Sequence, residues 1–237
     1  VKSTTKDLRY LDAKDRFLEH AFLALRDHFD SSDAFLRYFE AIEGDFQKSL
    51  FLRTASFYLF MVKGGDWVVH VPGSDAKVEY LTNTYKYIAI FSLIESLLTE
   101  DHMDFYQYLL RKRAEKVVFP LEDREALDIL YQSYKSEFGA VNYCVSFFRC
   151  LSAERQQDLI AKLEVRGTEA SLENLAKFMY KLRSMFVHEG ELIHHMSDGT
   201  SISFEGQKVI VCKLSINDAQ MFFEEGLLAH FEKKSRT

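Results

Sequence analysis

From Asn83 to about His188 apolar residues keep recurring at spacings of three and four, and a stretch that long in one period folds as a run of packed helices. Tyr87, Ile90, Phe91, Ile94 and Leu98 form its first stripe. The same spacing predicts helices near 102–117, 121–150 with a break at Gly139, 154–164 and 171–188. Together these make a bundle. Only 10 Gly and 2 Pro interrupt 237 residues, and 47% of the side chains are hydrophobic, so the chain can bury a sizeable core and is neither disordered nor fibrous.

The period differs on both sides of this stretch. Leu11, Phe17, Leu18, Phe22, Leu25 and Phe29 predict an amphipathic helix over 11–29, and Asp30 to Asp33 supply caps for a second one running to about Ile42. Ser56 to Val62 and Trp67 to Val71 are rich in aromatic and β-branched residues and flank Lys63, Gly64, Gly65 and Asp66, which reads as a β-hairpin. Pro72, Gly73, Ser74 and Asp75 then mark a boundary. Residues 1–80 are accordingly expected to form an accessory segment, and 81–237 the bundle with its C-terminal elements. After Gly190, Ser201 to Phe204 and Lys208 to Leu214 read as a second hairpin, and Ser215 with Asp218 as a capping box opening a last helix through Phe231. The expected fold is mainly α, a helical bundle with N-terminal helices and two peripheral β-hairpins, α+β overall; the hairpins could share one sheet.

Thirty basic against 36 acidic residues leave a net charge of −6, so any polyanion has to be held by a local basic patch. The densest basic run is Arg111, Lys112, Arg113 and Lys116, either a guide for an RNA backbone or a solvated helix face. Trp67, Tyr58 and Phe60 are either base-stacking residues or core. The longest apolar run, Phe57 to Val62, is far too short to cross a membrane, and the polar start Val1 to Asp7 lacks the apolar stretch of a signal peptide; these point to a soluble, cytoplasmic protein without membrane partners. Cys144, Cys150 and Cys212 show no CxxC spacing and read as small core residues. Walker A, GxGxxG and GxSxG patterns are absent, which removes nucleotide-driven, dinucleotide and serine-hydrolase chemistry.

One helix carries an anomaly. At about 100° per residue, Leu172, Leu175, Ala176, Met179, Leu182 and Phe186 line one stripe, and Arg183 falls inside it. A guanidinium aimed at a core costs several kcal/mol to desolvate unless it meets a carboxylate or faces a cleft. The ordinary explanation is a buried ion pair or an arginine that snorkels to water. His188 lies about 140° round the helix from Arg183, on the side of Lys177, Lys181 and Ser184. A histidine near a helix end commonly serves the C-terminal dipole. The two side chains converge only if the helix distorts between Val187 and Gly190, if the arginine bends round, or if a second chain completes the site. His188, Glu191 and His195 would offer ligands to a metal only if the helix ran on past Gly190, and HEGELIHH is not HExxH.

The segment Tyr180 to Gly190, YKLRSMFVHEG, resembles the R-x4-6-H signature of HEPN domains, a helical family found in many prokaryotic toxins and antiviral ribonucleases, here with a spacer of four. Ile88 to Leu98, IAIFSLIESLL before Thr99, Glu100 and Asp101, is similar to the early bundle helix of the ApeA-like branch, with Glu95 at the recurrent acidic position. The likeness covers about 83–195. It implies metal-independent endoribonuclease activity without a cofactor, in a toxin or antiviral defence effector whose cleavage leaves a 2′,3′-cyclic phosphate. His188 would move protons, Arg183 would stabilise charge on the phosphorane oxygens, and Glu95 would orient one of them, or else be an ordinary surface carboxylate. Lys177, Lys181 and Ser184 would contact substrate. The implied partners are RNA, a second copy in a homodimer that supplies both acid and base, and an antitoxin or regulatory protein. The alternative is a non-catalytic HEPN module that binds protein or RNA.

Overall fold

A computed structural model describes residues 8–65, 68–70, 72–73, 75–97, 103–110, 124–166, 170–190, 200–205 and 208–234. The N-terminal part is helical: α1 (Arg9–Asp12), α2 (Lys14–Leu25), a 3-10 turn at Arg26–His28, α3 (Ser32–Ala41) and α4 (Asp45–Tyr58). The bundle region supplies α5 (Asp75–Ser96), α6 (Phe105–Leu110), α7 (Arg124–Phe138), α8 (Ala140–Phe148), α9 (Ala153–Ala161) and α10 (Leu172–Glu189). β1 (Leu163–Val165) lies between α9 and α10, and β2 (Ser201–Glu205), β3 (Lys208–Cys212) and α11 (Ile216–Lys234) complete the order. The protein is mainly helical with one small antiparallel sheet ordered β1-β3-β2, in which Glu164 pairs Val211 and Ile202 pairs the same residue from the other side.

Serines open several of these helices. The Oγ of Ser31, Ser152 and Ser171 each accepts from a backbone N–H three residues on, satisfying a donor that a helix start leaves orphaned. At α11 the exchange is reciprocal: the Asp218 amide donates to Ser215 Oγ at 3.2 Å, and the Ser215 amide to Asp218 Oδ2 at 2.9 Å. The expected capping box, the second hairpin and the break at Gly139 are all present.

The first hairpin is not. Residues 56–58 continue α4, and 59–63 form a π-helical turn closed by a Gly64 N–H to Leu59 C=O bond of 2.8 Å. Phe51, Ala55, Tyr58 and Val62, three or four residues apart, are fully buried, so burial of a helical face overrides the β-like composition. Trp67 and Val71 lie outside the described residues. With no first hairpin, the sheet borrows its third strand from 163–165, a stretch expected to end a helix.

One continuous core joins the two halves of the sequence. α11 runs through it: Phe231 meets Phe51 of α4 edge-on at 5.3 Å, Phe223 meets Tyr58 at 4.7 Å, and Phe222 meets Phe148 of α8 at 4.8 Å. Gly226 permits that approach, because a Cβ there would sit 2.5 Å from the Phe147 ring. Cys144 and Cys212 are buried as expected, whereas Cys150 is partly exposed. No helix among the described residues is long and apolar enough to cross a membrane.

Candidate functional site

α10 positions most of the predicted site. Leu175, Ala176, Met179 and Leu182 are buried along one face. Two polar anchors fix its register: the Tyr87 hydroxyl of α5 donates to the Met179 carbonyl, and the Cys144 thiol of α8 lies 3.6 Å from the Ala176 carbonyl. The helix stays regular to its end. The Gly190 amide still donates to Phe186 at 3.1 Å, and Gly190 then turns out at φ +67°, a conformation that favours glycine. A bend between Val187 and Gly190 therefore does not bring His188 round to Arg183.

Arg183 meets a carboxylate. Its Nη2 donates to Glu95 Oε2 of α5 at 2.7 Å, across 88 residues of sequence, with the side chains 15% and 30% exposed. The pair is half-open, which places it between a surface bridge and a buried one. Tyr180, one turn before, lies with its ring centroid 5.8 Å from the Arg183 carbon Cζ. Burial and the nearby Glu95 charge raise the Tyr180 hydroxyl above its usual range, so it stays a proton donor. Arg183 Nε is buried and has no hydrogen-bond partner among the described residues. A buried N–H left without an acceptor costs about 1–3 kcal/mol, which an incoming oxygen would recover.

His188 sits in the last turn of α10, exposed, where its charge suits the helix dipole. Lys177 and Lys181 are exposed on the same side, and Ser184 is half-buried. Lys177 already donates to Glu173 at 2.6 Å, holding that carboxyl below its usual range. The structure thus joins Glu95 to Arg183 and leaves His188, Lys177 and Lys181 on another side of the same helix. Arg111, Lys112, Arg113, Lys116, Glu191 and His195 lie outside the described residues, and among those described no group of three His, Cys, Asp or Glu side chains is placed to hold a metal. Tyr58 is fully buried and cannot stack on a base, while Phe60 is 42% exposed.

Sequence reasoning missed a second polar centre. Glu224 of α11 is 6% exposed, and its Oε1 accepts from the Tyr58 hydroxyl at 2.6 Å while its Oε2 meets His28 Nε2 at 2.8 Å. The π-turn aims Lys63 at the same carboxylate, 3.0 Å from Oε1, and at Asp27 Oδ2 and the Ala24 carbonyl, each at 2.8 Å. Burial pushes the Glu224 carboxyl up, but the hydrogen bonds from His28, Tyr58 and Lys63 outweigh it and the net shift is downward. Its sequence signal is slight: Glu224 directly follows Phe222 and Phe223, but α11 also carries Asp218, Gln220, Glu225 and Glu232, and nothing in that pattern singles Glu224 out.

Two open grooves mark the surface elsewhere. One of about 610 Å³ lies between α1, α2, α3 and α4, and one of about 630 Å³ lies between His28, α9 and α11; neither is lined by a residue of α10. Set against models of protein families, curated proteins and solved structures, the chain matches none.

Proposed function

We propose that the protein is a metal-independent endoribonuclease of HEPN type, a toxin or antiviral defence effector that cleaves RNA to a 2′,3′-cyclic phosphate. The observation that carries this reading is the state of Arg183: a guanidinium held at one end by Glu95, with a buried Nε–H still lacking an acceptor. A phosphorane oxygen is an acceptor of the right charge for that donor, and a donor held in place before the reaction is worth more than one that water must reorganise around. His188, an exposed imidazole at the end of the same helix, supplies the acid–base function.

Within one chain Arg183 and His188 point about 140° apart on a regular helix. A two-fold dimer resolves this, because the partner's copy of α10 brings a histidine towards each arginine and forms the cleft between the two helices. Val187, 46% exposed beside His188, and Tyr85, 45% exposed against Phe186, give that end of the bundle an apolar rim for such a pairing. Lys177 and Lys181 then flank the RNA backbone.

The ion pair with Glu95 also favours a second reading, a non-catalytic HEPN module in which Arg183 is structural. Total RNA incubated with the purified protein in EDTA, beside a His188→Ala control, separates them. The proposal expects fragments ending in 2′,3′-cyclic phosphate that vanish with the substitution; cleavage that survives it, or intact RNA in both, contradicts the proposal.

A further inference from the structure

A single bond from Nη2 to Glu95 leaves the plane of the Arg183 guanidinium free to turn, since one contact fixes a point and not an orientation. A second constraint is supplied by Tyr180. Three residues earlier on the same helix, its ring lies beside the guanidinium, 5.8 Å from centroid to Cζ. The tyrosine is itself half-buried on a helix pinned at Ala176 and Met179, immediately before it. We propose that Tyr180 is a positioning residue whose ring holds the plane of the Arg183 guanidinium, so that the unpaired Nε–H keeps one direction.

The consequence is mechanistic and rests on the ribonuclease reading. A donor free to swing must be reoriented in every turnover, whereas a clamped one meets the developing phosphorane charge without that cost. Tyr180 touches neither substrate nor scissile bond in this scheme. Losing it therefore lowers kcat and leaves KM nearly unchanged, because the lysine contacts to the RNA backbone do not involve it.

The test uses three full-length proteins: wild type, Tyr180→Phe, which keeps the ring, and Tyr180→Leu, which removes ring and hydroxyl. Nitrogen-15 NMR follows hydrogen exchange at Arg183 Nε–H, assigned by the loss of that resonance in Arg183→Lys, and cleavage is normalised to the folded fraction. The expected result is slow exchange in wild type and in Tyr180→Phe, which keeps the ring, and faster exchange in Tyr180→Leu. Correspondingly kcat should stay near wild type in Tyr180→Phe and fall roughly 100-fold in Tyr180→Leu, at constant KM. Equal exchange in all three proteins overturns the proposal, as does a kcat that falls only in step with the folded fraction. RNA left intact by wild type overturns the ribonuclease reading alone, and the exchange measurement then decides the positioning of Arg183 by itself.

Discussion

The carboxylates of Glu224 and Glu95 each tie their helix, α11 or α5, to a segment distant in sequence, yet they are finished differently. Glu224 is saturated: Tyr58, His28 and Lys63 cover both oxygens, and Lys63 is in turn held by Asp27 and the Ala24 carbonyl. The Glu95 pair is open, with a guanidinium N–H unspent and both partners within reach of water. A charge centre kept for the fold uses up its donors, because each one left over costs stability. One kept for a ligand holds some back. The contrast separates a structural hub from a candidate site without appeal to sequence likeness.

The largest effect belongs to Glu224. Replacing it by leucine strands the buried Tyr58 hydroxyl, takes one of three acceptors from Lys63 and removes the partner of His28, and should cost about 3–5 kcal/mol of unfolding free energy in urea titrations. A loss no larger than that of a surface substitution would erase the contrast. Tyr58→Phe removes one hydrogen bond to a charged acceptor and should cost about 2 kcal/mol by the same measurement. Acid sharpens the comparison further. The folded-state pKa of Glu224 is depressed, so its contribution is complete above the unfolded value of about 4.3 and is lost as pH falls through the lower folded value. Wild type should therefore lose stability below that pH more steeply than Glu224→Leu, in chemical denaturation repeated across the range. The smallest effect is at Lys177, which is exposed like its partner Glu173: Lys177→Ala should melt like wild type while binding RNA more weakly.

How much of this was legible in the sequence varied with burial. α10 was readable because one face is apolar and the other polar, and Arg183 stood out as the exception on the apolar face. The segment 56–62 misled for the opposite reason. It has buried and exposed apolar residues on several sides, Tyr58 and Val62 within and Phe57, Phe60 and Met61 outside, so the period disappears and composition alone suggests a strand. β1 was invisible at three residues, its strand character arising only from pairing with β3, some fifty residues later. The partner of Arg183 was within reach of sequence reasoning, since Glu95 borders the stripe of its own helix; the hub at Glu224 depends on a π-turn that no local pattern announces.

The most direct test of the open pair is Arg183→Ala, with thermal stability and RNA cleavage measured on one preparation. The account predicts that cleavage is abolished while the melting temperature stays within about 3 °C of wild type, because both side chains keep some exposure, 15% and 30%, and a chain of this size shifts roughly 2–4 °C per kcal/mol. A fall of roughly 10 °C, together with no cleavage by the unaltered protein, would contradict it and make Arg183 and Glu95 a second structural hub.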